Sequence, residues 1–319
     1  MIGGLLVAAS WRWVFFVNVP IGLIALVVGW RRLPHVAGHR APAPDAAGAL
    51  LITGGIGALS LGLVKGDGWG WTNGRTIASL ALAATALGLF TAHLVRHRNP
   101  LIDRALFRLR PFTGASGVAL LFSAAFGAML LSRVLWAQDV WHWSPLLTGL
   151  SIAPGPLMVP LFSFLVAGRL TARFGPGPVI AAGSAIFAAG AAWWALAIGL
   201  RPDYFGEMFG GIVLTGVGVG LTLPTLMATG ASSLPPHAFA TGSGVVNMLR
   251  QVGLAIGVAA LIAVLGNPRS PLATLIAYQH ATWMIAAIAF VGGLVGLGLL
   301  AVRRPGAKIA PAGETVAPA

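Results

Sequence analysis

Apolar residues arrive along this chain in long blocks separated by short polar stretches. Nine such blocks run roughly over residues 12–31, 46–65, 75–95, 111–137, 144–168, 178–200, 206–232, 238–266 and 279–302. The cleanest, Pro111–Ser132, Val179–Leu200 and Ala281–Val302, carry no charge at all. About 20 apolar residues in helical form cross the ~30 Å hydrocarbon core of a bilayer. Strands of a membrane barrel would alternate apolar and polar positions over about 10 residues, and these blocks do not. Helices are the remaining way to satisfy the backbone in lipid. The pattern therefore predicts an all-α polytopic membrane protein of about nine transmembrane helices.

The polar stretches divide the blocks. Residues 31–45, RRLPHVAGHRAPAPD, read as a linker, and residues 96–110, RHRNPLIDRALFRLR, as a basic amphipathic segment lying on anionic lipid. The blocks fall into one, two and six. The corresponding division is 1–32, 33–110, 111–302 and a small, polar, disordered tail over 303–319. Lys and Arg in the loops and at the block ends number thirteen on the side of Arg31, Arg104 and Arg303, against five (Arg12, Lys65, Arg75, Arg201 and Arg269) on the other. The positive-inside rule then places the C-terminus in the cytoplasm. Trp11, Trp13, Trp69, Trp71, Trp136, Trp141 and Trp143 flank the expected outer ends as an interfacial belt, with Trp30 the exception at the inner end.

Composition narrows the class further. Hydrophobic residues make up 57% and charged residues 8% of the 319, and the net charge of +13 sits in the loops rather than on one binding face. That distribution argues against nucleic acid as a partner and for membrane lipid. With no cysteine there is no disulfide framework and no thiolate metal site. The seven histidines form no His-Glu cluster at ligand spacing, and no phosphate-cradling glycine loop is present, so no enzyme signature is found.

Residues 11–22, WRWVFFVNVPIG, interrupt an apolar block with Asn18, Pro20 and Gly22. Pro20 removes a backbone donor and Asn18 offers an amide, a combination suited to a kink or to a helix contact. This stretch resembles the start of the sixth span in the fourteen-span drug:proton antiporters of the major facilitator superfamily. Gly3 and Gly4 resemble the end of that family's antiporter motif. The resemblance implies six helices, two linker helices, then six. On that plan the chain holds the sixth helix, the linker pair and the C-terminal bundle, and lacks five N-terminal helices with their proton-linked acid.

Other polar residues inside the blocks are candidate pathway groups. Asn247, Arg250 and Gln251 stand at i, i+3 and i+4 on one helix face. Arg250 lies about 18 Å from the expected inner end, where an arginine costs ~2.5–3.5 kcal/mol or more unless it faces protein or water. It either lines a central cavity or pins two helices through carbonyls. The stretch resembles the family's thirteenth span, and Gly253 and Gly257 form a small-residue face for close helix approach. Arg133, with Gln138 and Asp139 beyond it, either lines the cavity or snorkels or pairs with an acid. Asp203 and Glu207 cap a helix start or transfer protons. Pro154, Pro156, Pro160 and Pro224 mark broken helices of the kind that transporters place at binding sites. Gly168, Arg173 and Gly175 belong to a degenerate copy of the superfamily's cytoplasmic loop motif, with Ala172 where an acid is expected. Phe122, Phe126, Met129, Phe162 and Phe164 line a cavity or belong to the core or the lipid face.

By resemblance, the expectation is export of amphipathic small molecules across the plasma membrane by alternating access. It implies a proton gradient as the energy source; from the residues, neither a cofactor nor a metal is expected. The missing N-terminal bundle is an expected partner. A narrower substrate on the same fold, or an inactive fragment or membrane scaffold, are the alternatives.

Overall fold

The computed structural model describes residues 10, 12–32, 45–97, 104–234 and 239–300. Gly3, Gly4, Trp11, most of the 31–45 linker and the tail lie outside the described residues. Among the described residues every regular element is helical. They are α1 (Trp13–Phe16), α2 (Asn18–Arg32), α3 (Ala46–Trp69), α4 (Gly74–Arg96), α5 (Arg110–Leu135), α6 (Pro145–Ile152) and α7 (Pro154–Phe162). The second half continues with α8 (Gly168–Phe174), α9 (Pro176–Ala197), α10 (Gly210–Ser232), α11 (Phe239–Leu265) and α12 (Pro271–Leu300). A 3-10 turn, Arg104–Arg108, and π turns at Trp136–Val140, Ser163–Ala167 and Tyr204–Phe209 complete the course.

Eight helical stretches among the described residues are long and apolar enough to span a membrane. The protein is multi-pass. The ninth expected span is helical but divided, into α1 and the 15-residue α2, with the junction at Val17. Pro20 lacks the N–H that would bond to the Phe16 carbonyl, so the ladder opens one residue after α1 ends. None of the residues of α2 is buried.

α3 and α4 pair through small residues. Gly55 and Gly62 leave room for Leu87 and Leu80, and the Ser79 hydroxyl donates to the Ala58 carbonyl at 2.7 Å. The pair meets the remaining helices along α11, and Asn267 hydrogen-bonds Asp67 at one end of that contact. In the six-span bundle, α9 packs against α10 and α12, and α5 packs against α11, α12 and α10. The core between them holds Phe112, Phe122, Phe187, Ile180, Leu226, Leu261 and Ile285, and Phe122 and Phe187 stack at 5.0 Å. Apolar side chains such as Phe164, Leu196 and Phe290 point outward, as lipid requires.

Glycine sets the closest approaches. A β-carbon on Gly253 or Gly257 would strike the Leu120 and Ala124 carbonyls, so α11 lies backbone-to-backbone on α5. α10 has the same relation to α7, where Gly216 abuts Gly155.

Three expectations need correction. Trp136 and Trp141 are not interfacial: both are buried, in a cluster with Trp194, Met208, Ile212 and Tyr278. The Trp141 Nε1–H donates to the Gly199 carbonyl at 3.1 Å, so the indole meets its hydrogen-bond need inside the protein. Next, the Gly168–Gly175 motif is not a loop: α8 carries the helix to Phe174, and the turn comes at Gly175, where φ is +83°. Third, the last span begins at Pro271 rather than near 279. Ser270 accepts from the Ala273 N–H at 3.2 Å, and proline at the first helical position supports the early start.

Candidate functional site: the polar face of α11 and the buried arginine of α5

α11 is two-faced. Val245, Val246, Gly253, Gly257, Ala259 and Leu261 are buried, many of them against α5. Thr241, Gly244, Asn247, Gln251 and Ala255 are exposed at helical spacing, a polar and small-residue stripe running from the start of the helix to its middle. Arg250 flanks this stripe, half-buried, and its Nη1 donates to Asn247 Oδ1 at 3.3 Å. The guanidinium is thus held along the stripe, while its Nε is enclosed and makes no hydrogen bond. All three of the residues expected on one face are brought together. Asn247 and Gln251 lie on a surface left uncovered among the described residues, with Arg250 half-buried at its edge.

Arg133 stands apart. It sits in the last turn of α5 with 3% of its surface accessible. Its Nη1 donates to Thr215 Oγ1 at 3.0 Å and its Nη2 to the Gly211 carbonyl at 3.1 Å, both on α10. The guanidinium lies 5.5 Å from the Trp194 ring centroid of α9, a cation–π distance. Among the described residues no carboxylate forms an ion pair with it. Arg133 therefore neither snorkels nor pairs with an acid; it ties three helices together through neutral acceptors. Thr215, Gly211 and Trp194 are the residues that sequence reasoning missed here, and nothing in their spacing to Arg133 signals the contact.

Gln138 and Asp139 lie in the π turn beyond α5. Gln138 is half-buried and Asp139 exposed. Asp139, His142, Arg269, Thr274 and Tyr278 line a cavity of about 640 Å³ at this end of the bundle. Asp203 accepts from the Gly206 N–H at 3.0 Å and Glu207 from the Gly199 N–H at 2.7 Å, so both acids cap backbone at the same end.

The prolines fall at the joints of the broken span. Pro154 opens α7 directly after the Ala153 break, Pro156 follows in its first turn, and Pro160 lies inside it, just ahead of the Ser163–Ala167 π turn. Each proline withholds one N–H from the preceding turn. Pro224 lies inside α10, where Gly216 and Gly220 face α7 and Gly211 and Gly218 face α9. Arg173 stacks over Phe174 at 5.3 Å at the end of α8. Asn18 and Pro20 lie in α2, none of whose residues is buried. Of the candidates, Phe122 and Met129 are core, Phe126 is half-buried against that core, Phe162 is half-buried against a separate cluster of Ala167, Val179 and Leu221, and Phe164 is 83% exposed.

Comparison with known proteins fits this arrangement. The family model described as Major Facilitator Superfamily matches residues 1–258 and again 118–318. The chain is 31% identical over 268 residues to the multidrug resistance protein B homolog of Mycobacterium tuberculosis, covering 83% of this chain and 49% of that protein. It is 32% identical over 263 residues to the tetracenomycin C resistance and export protein of Streptomyces glaucescens, covering 82% and 48%. With the cephamycin export protein CmcT of Amycolatopsis lactamdurans it shares 33% identity over 304 residues, 93% of this chain and 60% of that one. The chain spans about half the length of the curated relatives it matches. Matched over most of its length, and with every regular element helical among the described residues, the chain belongs to the Major Facilitator Superfamily.

Proposed function

We propose that this chain carries the C-terminal half of an export pathway for amphipathic small molecules, driven by the proton gradient across the plasma membrane. The observation that carries the reading is the α11 stripe, where Asn247, Arg250 and Gln251 stand near the middle of a membrane-length helix on a face the bundle leaves open. Polar groups at that depth are costly against acyl chains and find their place facing water or protein. A second helical bundle on the other side of the stripe would enclose a wet cavity between the two. Alternating access then follows from rocking of the bundles. The broken span α6–α8 and the proline-bearing α10 supply the flexible elements beside it. Resistance and export functions of the relatives support the substrate class. The C-terminus lies in the cytoplasm on this reading, because the basic loops gather on that side.

The test is flux. The protein is reconstituted in vesicles with an imposed pH gradient and a fluorescent lipophilic cation. Gradient-dependent movement of the dye, abolished in Arg250→Ala at equal protein insertion, is the expected result. Dye binding with no gradient-dependent movement overturns the transport reading in favour of a membrane scaffold.

A further inference from the structure

We propose that Asp45, His93 and His97, where α3 begins and α4 ends, form a binding site for a divalent transition-metal ion of the zinc type. Asp45 immediately precedes α3 and caps it: its Oδ1 accepts from the Gly48 N–H at 2.8 Å. The same oxygen lies 2.9 Å from His93 Nε2. His97 stands one helical turn further along, and the two imidazole centroids are 4.7 Å apart. One ligand atom from each of the three side chains lies within 4.8 Å of the others.

These distances bring three ligand-type atoms within reach of one ion. Zinc binds imidazole nitrogen and carboxylate oxygen at ~2.0–2.2 Å in tetrahedral geometry, which puts neighbouring ligand atoms about 3.4 Å apart. The Asp45–His93 pair, hydrogen-bonded at 2.9 Å, would part by about half an ångström around an ion, and the His97 ligand atom lies within 4.8 Å of both. Histidines at i and i+4 share a helix face, the arrangement that lets one helix give two ligands. The Asp45 side chain is 3% exposed against 23% for His93. The carboxylate is therefore held by its surroundings, with His97 on the exposed side; three protein ligands would leave the fourth position to water. The C-terminal end of α4 contributes a partial negative charge that favours a cation, and the Asp45 carboxylate offsets the positive end of α3. Imidazole and carboxylate together select zinc, nickel or copper over magnesium or calcium. Capping α3 and hydrogen-bonding His93 hold the Asp45 carboxylate between the two helix ends, with both imidazoles in reach of one ion. A bound ion would clamp the two ends of the linker pair, next to the loops that join it to the remaining helices.

The experiment titrates the intact chain, purified in detergent without a polyhistidine tag and stripped of metal, with Zn²⁺ by calorimetry. Co²⁺ serves as a visible reporter of nitrogen and oxygen coordination. One saturable ion per chain is expected, together with a rise in melting temperature on binding. His97→Gln and His93→Gln should each weaken binding at least as much as the roughly 10-fold loss typical of an outer-shell partner. Asp45→Asn is the sharper variant, because asparagine still caps a helix while offering no carboxylate. It should keep the metal-free melting temperature and lose the Zn²⁺-dependent rise. His142→Gln and His280→Gln should bind as the parent does. Absence of saturable Zn²⁺ binding by the parent, or undiminished binding by Asp45→Asn and His97→Gln, overturns the proposal.

Discussion

The guanidinium of Arg133 donates a 3.0 Å hydrogen bond to the hydroxyl of Thr215, 82 residues further along the chain, inside the bundle. The charge is met by one hydroxyl, one carbonyl and an indole face, with no carboxylate. Leaving a buried donor without its acceptor costs about 1–3 kcal/mol. Thr215→Val, which keeps the shape and removes the oxygen, should lower unfolding stability in detergent by that amount. In an Arg133→Met background the same substitution should cost little, since the donor is gone. Equal costs in the two backgrounds would mean that the contact carries no energy.

Gly257 is the tightest point between α11 and α5. Gly257→Val would push a side chain into the Ala124 backbone, and overpacking a close-packed interface costs about 1–3 kcal/mol or more. Gly244, on the open face of the same helix, has nothing within reach of an added β-carbon. There alanine should be neutral or gain up to ~1 kcal/mol from helix propensity. Unfolding curves or yields of monodisperse protein read the difference, and similar behaviour of both variants would contradict the packing described.

Topology is open to direct labelling because the chain has no cysteine. Thr72→Cys and Arg108→Cys are exposed at opposite ends of the expected spans. An impermeant thiol reagent added outside intact cells should reach the first and spare the second. Labelling of both from one side would refute the alternation.

The helical class and most spans were legible in the sequence, because a charge-free run of membrane length has few structural options. The small-residue face of Gly253 and Gly257 was legible for the same kind of reason, since its spacing repeats on one helix side. Tertiary partners were not. Trp136 and Trp141 carry the composition of an interfacial belt, yet the π turn after α5 rotates them into a cluster with Trp194 and Tyr278. Arg133 gave no sign that its acceptors would be a threonine and a carbonyl on α10. The approach of Asp45 to His93, 48 residues away, depends on the antiparallel pairing of α3 and α4. Only the i, i+4 spacing of His93 and His97 was there to be read.

The central claim is that the open face of α11 lines an aqueous pathway. Single cysteines at Asn247 and Gln251, compared with Phe164 and Phe290 on outward apolar faces, test it in native membranes with a small water-soluble thiol reagent. The expected result is rapid modification at positions 247 and 251, slowed by a lipophilic cation, with positions 164 and 290 unreactive. Unreactive cysteines at 247 and 251, alongside protein that is inserted and folded, would contradict the account.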